Sequence, residues 1–420
     1  MSFGEEAART LESGLGRRGF VRAAAALGVA GVAGAGIAVP GQASAETGAP
    51  AVLQPKQGRV RGVYVTSTPG TVRWGHLPNR TAKPVSTVAS GGVVTIDTVS
   101  HEGILEDQGR DPVGYFGDHG VDRDDVLRDA IAIAASGIEH DFAADGPHVV
   151  TGPVAVTGAK PGDVLKIEVL DLRRRVPYGV ISSRHGKGAL PGEYPEAFKG
   201  DPHSEPFLNP GGNMSVFTRV SRGQGVLPAG RSEVRFPLNP FMGLMGVAVD
   251  TSERVHSVPP TVAGGNLDVN ELGAGSILYL PVQVPGALFY AGDPHFAQGD
   301  GEVALTALEA SLRGTFRLTV VKKGGPAPEV AFSYPFGETS DYWIPIGLSD
   351  PDGPVSGQQT SLDLAMKTAV RNALDFLSQE HSMAPAVAYA YLSAAVDFEV
   401  SQVVDRTTGI HALIRKADFH

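Results

Sequence analysis

Two glycine-rich clusters near the middle of the chain carry residue types that can bind a cation or transfer a proton. They read Gly264-Gly265-Asn266-Leu267-Asp268 and Gly292-Asp293-Pro294-His295-Phe296-Ala297-Gln298-Gly299-Asp300-Gly301-Glu302. Carboxylates and imidazole on tight turns are ligands for hard or borderline cations, and the same groups act as general acids and bases. Aspartate and glycine also form turns that do no chemistry, so the residue types alone leave both interpretations open.

The elements that must position these clusters are short strands. Residues 276–284 and 287–290 are apolar runs bounded by polar, glycine-rich segments, which is the pattern of strands joined by turns. Residues 62–65, 92–99, 152–156, 162–172 and 312–323 read as further strands. We therefore expect both clusters to be turns at strand ends.

Composition favours a β-rich globular protein. The 420 residues are 42% hydrophobic and 19% charged, and they include 54 glycines and 31 prolines, which favours short strands and many turns. The net charge is −10, and no basic stripe is interleaved with aromatic residues. Nucleic acid is therefore excluded as an expected partner.

The C-terminal part has a different pattern. Residues 361–379 place apolar side chains at helical spacing, and residues 386–396 continue as an alanine-rich helical segment. We predict a mainly β fold of β-sandwich-like domains with an α+β C-terminal part. The predicted divisions are a β-rich core over residues 46–325 and a completing α+β part over residues 326–420.

The N-terminus has the features of an export signal. Paired Arg17 and Arg18 precede a mildly hydrophobic run of small residues, and Ala43-Ser44-Ala45 supplies a cleavage site. This pattern is typical of a twin-arginine leader over residues 1–45. We expect transient contact with the twin-arginine translocase, an extracellular or periplasmic mature chain, and no membrane association after cleavage.

The absence of cysteine restricts the chemistry. With no cysteine in the sequence, disulfides, thiol nucleophiles and thiolate metal ligands are all excluded. A bound metal must then be held by histidine, carboxylate, amide or backbone oxygen, and water. No G-x-S-x-G motif is present, which disfavours a serine nucleophile of the α/β-hydrolase type.

Several separate blocks resemble one enzyme family. Besides the two clusters, they are Thr151-Gly152-Pro153-Val154, Pro161-Gly162-Asp163-Val164-Leu165, Asn239-Pro240-Phe241-Met242-Gly243, Leu280-Pro281-Val282, Pro285-Gly286-Ala287-Leu288-Phe289, Val403-Val404-Asp405 and Gly409-Ile410-His411-Ala412. Together they resemble the acetamidase/formamidase family from about Val60 to the C-terminus. Because the likeness spans most of the chain, it is more specific than one short motif.

The resemblance implies a β-sandwich-rich fold and hydrolysis of small aliphatic amides to the acid and ammonia. It also implies a divalent cation near the second cluster. The chain departs from the family at Pro294 and Phe296, where smaller residues are usual, and at Val262-Ala263, where histidine often precedes the first cluster. Its leader and the long 178–207 insert also differ. We expect Phe296 to reshape the substrate pocket.

Within this resemblance, metal ligation is assigned to His295, Asp293 and Asp268. The predicted cofactor is a divalent metal, zinc with calcium as the alternative. A bound cation provides a nucleophilic water at neutral pH and polarises the carbonyl, both of which an unreactive amide requires.

Glu302 is assigned as the general base and acid that passes a proton to the leaving nitrogen. Asp300 is a catalytic candidate that could exchange roles with the other carboxylates. Asn266 is a candidate for binding the substrate carbonyl or amide.

Other polar residues provide less specific hypotheses. The segment carrying His101, Glu102, Glu106 and Asp107 either closes over the same site or is a solvated acidic loop. His140 and His256 are either further ligands or structural histidines.

Two alternatives to a small-amide hydrolase remain open. One is a non-catalytic exported β-sandwich that binds a small ligand at the same clusters. The other is a hydrolase of a different amide or carbamoyl substrate. In either case we expect a homo-oligomer, as a dimer.

Overall fold

The structure is a computed structural model that describes residues 52–350 and 361–420. The predicted leader and its cleavage site lie outside the described residues. Within the described ranges, no helix is both long enough and apolar enough to cross a membrane.

A nine-stranded, mostly antiparallel sheet runs from the first described strand to the last. With strands numbered in chain order, its spatial order is β1 (Val63–Val65), β5 (Gly92–Asp97), β18 (Leu312–Val321), β7 (Val164–Arg174), β15 (Ile277–Pro281), β19 (Phe336–Glu338), β20 (Tyr342–Leu348), β22 (Gly409–Arg415) and β21 (Asp397–Gln402). The C-terminal strands therefore extend the same sheet that the N-terminal strands begin. The predicted division at residue 325 stays a prediction.

An eleven-stranded sheet carries most of the two glycine-rich clusters. Its main path is β11 (Ser232–Pro237), β10 (Gln224–Ala229), β9 (Met214–Ser221), β8 (Tyr178–Ser183), β17 (Leu308–Glu309), β16 (Phe289–Ala297), β12 (Phe241–Gly246) and β14 (Gly264–Asn266). Strand β6 (Val149–Thr157) pairs with β16, and β2 (Val72–Trp74) and β4 (Ser86–Ala89) pair with β6. A separate two-stranded ribbon joins β3 (His76–Leu77) to β13 (Val255–His256).

The described helices are α1 (Pro112–Asp118), α2 (Arg128–Ala134), α3 (Leu362–Glu380) and α4 (Pro385–Ala395). The side chain of Ser361 accepts a hydrogen bond from the Leu364 amide and so caps the start of α3. One face of α3 is a stripe of buried small residues that includes Ala365 and Ala369. These alanines allow close approach, because a side chain at Gly347 of β20 would collide with the Ala369 backbone.

The two large sheets share a hydrophobic core. Phe289 of β16 and Phe316 of β18 are both fully buried, and their ring centroids lie 5.4 Å apart in an edge contact. Burial of each ring contributes about 1.5–3 kcal/mol, so such contacts hold the sheets together. The predicted mainly β fold with a C-terminal helical segment is confirmed.

Strand β16 corrects one expectation. Residues 292–295 were expected to form a turn because glycine, aspartate and proline favour turns. Instead they lie in the middle of β16, where Met242 pairs with Pro294 and Phe241 pairs with His295. Pairing with β12, β6 and β17 outweighs the local turn preference, since a central strand gains a ladder of hydrogen bonds on both edges. Residues 264–266, expected as a turn, are likewise strand β14.

Candidate active site

Strand β16 sets two buried side chains on the same face. Asp293 and His295 are two residues apart, so they point to the same side of the sheet. His295 is paired in register with Glu309 of β17. Its Nε2 lies 2.9 Å from Asp293 Oδ2 and 3.1 Å from Glu309 Oε1. The imidazole of His295 thus holds one oxygen of each carboxylate and leaves the other oxygen free.

Two histidines from strand ends face these free oxygens. His101 follows β5, and His148 immediately precedes β6. Asp293 Oδ1 lies 3.6 Å from His101 Nδ1 and 3.7 Å from His148 Nε2. Glu309 Oε2 lies 3.9 Å from His101 Nδ1. We call His101, His148, Asp293, His295 and Glu309 the inner cluster.

The inner cluster fits a divalent cation. Two ligands bound about 2.0–2.2 Å from a tetrahedral ion are separated by about 3.3–3.6 Å, close to the separations at Asp293 Oδ1. That oxygen, His101 Nδ1 and Glu309 Oε2 are buried and make no hydrogen bond. Unpaired buried polar atoms are costly, and a shared cation would satisfy them together.

The surroundings of His148 are those of a metal-binding histidine. Its Nδ1 lies 2.9 Å from the hydroxyl of Ser257, which leaves Nε2 facing Asp293. Ligating histidines typically have the other ring nitrogen held in this way. Burial lowers the pKa of His148 to about 3, so its ring is neutral, which is the form that binds metal.

A group of three buried carboxyls adjoins the inner cluster. Asp268, Glu302 and Asp405 bring carboxylate oxygens within 4.8 Å of one another. Asp268 Oδ1 is also 4.0 Å from His295 Nδ1. We call these three residues the carboxyl triad. Asp268 follows β14, Glu302 lies on the turn after β16, and Asp405 follows β21, so three separate segments build it.

Backbone conformation at this site is unusual. Asp268, Asp293 and Glu302 have φ values of 51°, 48° and 47°, in the left-handed region. Side-chain-bearing residues rarely adopt this conformation, and it persists only where the surrounding structure enforces it. Three such acidic residues at one place indicate that the backbone is arranged to aim carboxylates at a common point.

Gly243 of β12 lies directly under this arrangement. A Cβ built there would be 2.6 Å from His295 Cε1 and 2.8 Å from Asp293 Oδ2, and closer still to Asp268 Oδ1. Both distances are far below van der Waals contact. Any side chain at position 243 would therefore displace the inner cluster.

Charge is unevenly distributed through the site. Burial opposes protonation of His101, but neighbouring Asp293 and Glu102 raise the pKa of the ring to about 10. The pKa of Glu102 falls to about 2 despite burial, because Arg184 and His101 stabilise its charged form. Cation binding at His101 would therefore release a proton.

The carboxyl triad differs from Glu102, because the pKa values of its members are raised. Burial and the neighbouring carboxyls raise the pKa values of Asp268 and Glu302 well above their ordinary range. Burial likewise raises the pKa of Asp405 to about 7. Protonated carboxyls beside charged ones provide separate proton donors and acceptors.

The site opens into a cavity of about 540 Å³. Its wall includes His101, His148, Asp293, Glu309, Glu302, Asp405 and Asn266. The Oδ1 atom of Asn266 is buried and makes no hydrogen bond. Apolar Leu105, Phe142 and Leu305 line other parts of the same wall. A cavity with a few convergent polar groups is typical of an active site.

The structure brings most of the predicted site residues together. Asp268, Asp293 and His295 form one group whose ligand atoms lie within 4.8 Å of each other. Glu302 and Asn266 line the adjoining cavity. Asp300 is exposed and is not part of the cavity wall, and its Oδ1 accepts a hydrogen bond from Asn270 Nδ2 at 2.9 Å.

Sequence reasoning did not assign roles to His148, Glu309 or Asp405. His148 and Glu309 are single polar residues that no local pattern marks, whereas Asp405 ends the family-like block Val403-Val404-Asp405 without having been given a role. His148 lies four residues before the predicted strand over residues 152–156, and the observed strand begins directly after it, at Val149. His101, considered only as part of a covering loop, lies within the inner cluster itself.

The hypotheses for His140 and His256 have different outcomes. His140 has Nδ1 at 3.0 Å from Glu106 and Nε2 at 3.0 Å from the Gly146 carbonyl, so both ring nitrogens are occupied and it is structural. His256 borders the cavity, and its buried Nε2 makes no hydrogen bond.

The expectation that Phe296 reshapes the pocket is not supported. Phe296 and Pro294 are buried and are not part of the cavity wall. Phe296 belongs to the hydrophobic core, because alternate residues of β16 point away from the site.

Known proteins share this fold and these segments. The family model described as "Acetamidase/Formamidase family" matches residues 134–255 and 250–414. The formamidase of Methylophilus methylotrophus is 28% identical over 301 residues, which cover 61% of this chain and 73% of that protein. The acetamidase of Mycolicibacterium smegmatis is 28% identical over 199 residues, covering 37% of this chain and 49% of that protein. A Schizosaccharomyces pombe relative is matched over 52% of its length, so the chain spans about half of two of these relatives.

Solved structures agree in overall architecture. The acetamidase of Bacillus halodurans superposes with a TM-score of 0.62 at 25% identity, covering 85% of this chain and 98% of that one. A predicted acetamidase/formamidase of Thermoanaerobacter tengcongensis gives a TM-score of 0.63 at 21% identity, covering 85% and 97%, and shows the fold alone. The family match covers more than half of the chain, and the chain belongs to the acetamidase/formamidase family.

Proposed function

We propose that this protein hydrolyses the C–N bond of small linear amides, of the formamide or acetamide type, to a carboxylate and ammonia. The observation that supports it is the inner cluster, which faces a cavity beside protonatable carboxyls in a chain of this family. Amide hydrolysis needs a nucleophile, a group that polarises the carbonyl, and a proton for the leaving nitrogen.

A divalent cation, with zinc as the first choice and calcium as the alternative, would be held by His101, His148, Asp293 and Glu309. When bound, such a cation supplies a Lewis acid and activates water at neutral pH. His295 keeps Asp293 and Glu309 in orientation through its contacts at 2.9 and 3.1 Å. Histidine and carboxylate ligands suit zinc better than calcium, which prefers oxygen alone.

Asn266 orients the substrate. Its free Oδ1 is an acceptor in the cavity wall and suits the N–H group of a primary amide. This contact directs the amide nitrogen towards Asn266 and leaves the carbonyl carbon to face the inner cluster. An ester lacks this donor, so the site favours amides over esters of the same size.

Glu302 supplies the proton to the leaving nitrogen. It lies in the cavity wall between His295 and the other carboxyls of the site. Burial holds the pKa of its carboxyl well above the ordinary range, which favours the protonated form that a general acid needs. Asp405, whose pKa is about 7, can accept the proton that the attacking water loses and pass it to Glu302, which restores the proton that Glu302 gives to the leaving nitrogen.

The test is ammonia release from formamide and acetamide by the purified protein and by Glu302→Gln. We expect Glu302→Gln to lower kcat by about 10²- to 10⁴-fold, because general acid–base groups contribute that much. Metal content should be unchanged. Glu253→Gln, a change at an exposed carboxylate, is the matched control and should retain full activity.

Two results would contradict the assignment. Absence of ammonia from every small amide would remove the proposed function. A Glu302→Gln protein with wild-type kcat would remove only the role of Glu302.

The cavity also supports longer amides as substrates. A volume of about 540 Å³ corresponds to roughly 18 waters at about 30 Å³ each, whereas acetamide has only four non-hydrogen atoms. A series of linear amides of increasing chain length would show kcat/KM rising beyond acetamide if this volume is used. A value that falls steadily from formamide would limit the substrate to the smallest amides.

We propose further that the mature chain is exported by the twin-arginine pathway and works as a dimer outside the cytoplasm. The paired arginines and the Ala43-Ser44-Ala45 site support export. Replacement of Arg17 and Arg18 by lysine should retain the protein in the cell fraction. Light scattering of the mature protein should give twice the chain mass, and a monomer mass would contradict the dimer.

A further inference from the structure

A second group of cation-ligating side chains lies apart from the cavity. Glu271, Glu399 and His411 bring ligand atoms within 4.8 Å of one another, and none of them lines the 540 Å³ cavity. Asp300 interacts electrostatically with Glu399 and His411. We call these four residues the outer cluster.

His411 is the feature that makes the outer cluster more than a set of acidic side chains. Its side chain is fully buried on β22, and its Nδ1 lies 2.8 Å from the Ser401 hydroxyl. The Nε2 atom is directed at the carboxylates but makes no well-aligned hydrogen bond. One ring nitrogen held and the other left free is the arrangement of a metal-binding histidine.

The separations around this nitrogen suit a small divalent ion. His411 Nε2 lies 3.0 Å from Glu271 Oε2 and 3.7 Å from Glu399 Oε2. Ligands about 2.0–2.2 Å from a tetrahedral ion are about 3.3–3.6 Å apart, so these values bracket the expected range. Glu271 Oε2 is itself buried and makes no hydrogen bond. The nitrogen and this oxygen face each other only as an ion pair at 3.0 Å, and a cation between them would bind both.

Charge balance supports the same conclusion. Two carboxylates, from Glu271 and Glu399, face one imidazole, and Asp300 interacts with them electrostatically. Like charges at such proximity are unfavourable unless a proton or a cation lies between them. Glu271 and Glu399 are only partly exposed, with 18% and 32% of their side-chain surface accessible, so water screens them incompletely.

We propose that the outer cluster binds a second divalent cation, of the zinc or manganese class. Imidazole nitrogen with carboxylate oxygens favours these ions over magnesium or calcium. This inference does not rest on the proposed amide hydrolysis, because the outer cluster lies outside the cavity.

The position of the outer cluster indicates what the cation does. Glu271 lies three residues after Asp268, and Asp300 lies two residues before Glu302. The Gly301 amide also donates to the Val400 carbonyl at 2.7 Å, next to Glu399. A cation held by these residues would link the segments that carry Asp268 and Glu302 to the hairpin formed by β21 and β22. Glu271, Asp300, Glu399 and His411 are thus positioning residues, and none is catalytic.

A simpler alternative is a proton in place of the cation. Burial opposes charge on His411, but Glu271 and Glu399 raise the pKa of its ring to about 9. A protonated His411 would then form buried ion pairs with the same carboxylates, and no metal would be bound there.

The experiment measures metal stoichiometry and not activity. Wild-type protein, Glu399→Gln and His411→Gln are stripped with a chelator and dialysed against Zn²⁺ or Mn²⁺, and bound metal per chain is then determined. His148→Gln, in the inner cluster, is the matched comparison. We expect Glu399→Gln to lose one equivalent relative to wild type or to bind it at least about tenfold more weakly.

The variants separate the two sites. His148→Gln should retain the outer equivalent even if the protein releases no ammonia, so failure of the proposed function leaves this result intact. Zn²⁺ should raise the Tm of wild type more than that of Glu399→Gln, since only wild type gains the outer cation. If Glu399→Gln binds as much metal as tightly as wild type, the proton alternative holds and the proposal is overturned. If His411→Gln does not fold, the metal binding of Glu399→Gln alone tests the proposal.

Discussion

The two faces of strand β16 differ in composition and in what holds them. On one face, Asp293 and His295 contact His101, His148 and Glu309 and border the cavity. On the other face, Phe296 packs into the core that joins the two sheets. Successive side chains of a strand point to opposite faces. Substitutions on the polar face of β16 should therefore alter the chemistry, and substitutions on its apolar face should alter stability.

The largest effect is expected at the polar face, with Asp293→Asn. Asn lacks the negative charge that stabilises protonated His101 and His295, and it weakens the oxygen that faces both His101 and His148. We expect kcat/KM for acetamide to fall by well over about 100-fold, since even outer partners of metal ligands contribute 10- to 100-fold. Zn²⁺ binding at the inner cluster should be lost in the same preparation. An active Asp293→Asn protein would show that this face does not carry the chemistry.

Gly243→Ala tests whether the polar face needs its present geometry. The added methyl would collide with Asp268, Asp293 and His295 without removing any ligand. We expect the free energy of unfolding to fall by about 1–3 kcal/mol, as for other overpacked sites, and kcat to fall by about 100-fold. Thermal unfolding and ammonia release measure the two effects. Gly299→Ala, at a position where an added Cβ meets nothing within 4 Å, is the matched control.

Ser257→Ala should have a smaller effect on the same face. It removes the hydroxyl that holds His148 Nδ1 and leaves every proposed ligand in place. Zn²⁺ affinity of the inner cluster, or kcat/KM, should fall by about 10- to 100-fold. Ser276→Ala removes another buried hydroxyl, one that donates to the Gly273 carbonyl, and serves as the control. Equal effects from both variants would indicate general destabilisation.

The smallest effect on activity is expected on the apolar face, with Phe296→Leu. The side chain is fully buried in the core and does not border the cavity. We expect a loss of about 1 kcal/mol in the free energy of unfolding and less than about a twofold change in kcat/KM across a series of amides. A clear change in amide preference would instead restore the hypothesis that Phe296 shapes the pocket.

The sequence predicted individual elements well where periodicity was strong. The helical spacing over residues 361–379 corresponds to Leu362–Glu380, and the alternation over residues 312–323 corresponds to Leu312–Val321. It failed at residues 292–295, because glycine, aspartate and proline have turn preferences that pairing on both strand edges overrides. Local propensity carries no information about such long-range pairing.

The site was predicted in part for a related reason. Asp293, His295 and Glu302 lie close together in sequence and within blocks that resemble the family, so their convergence could be anticipated. His148, Glu309 and Asp405 come from distant segments and are brought together only by the sheet order. The outer cluster likewise joins residues from 271 to 411, and although Asp300 and His411 lie within blocks that resemble the family, no local motif indicates that these residues converge.

The most direct test of the central claim combines metal analysis with ammonia release in one preparation. Mature protein is assayed with acetamide as purified, after removal of metal with a chelator, and after return of Zn²⁺. The inner cluster predicts that activity and the bound metal disappear together and that both return with Zn²⁺, while His148→Gln recovers neither its inner equivalent nor its activity. Full activity in the metal-free protein would contradict the assignment of the inner cluster as a catalytic cation site.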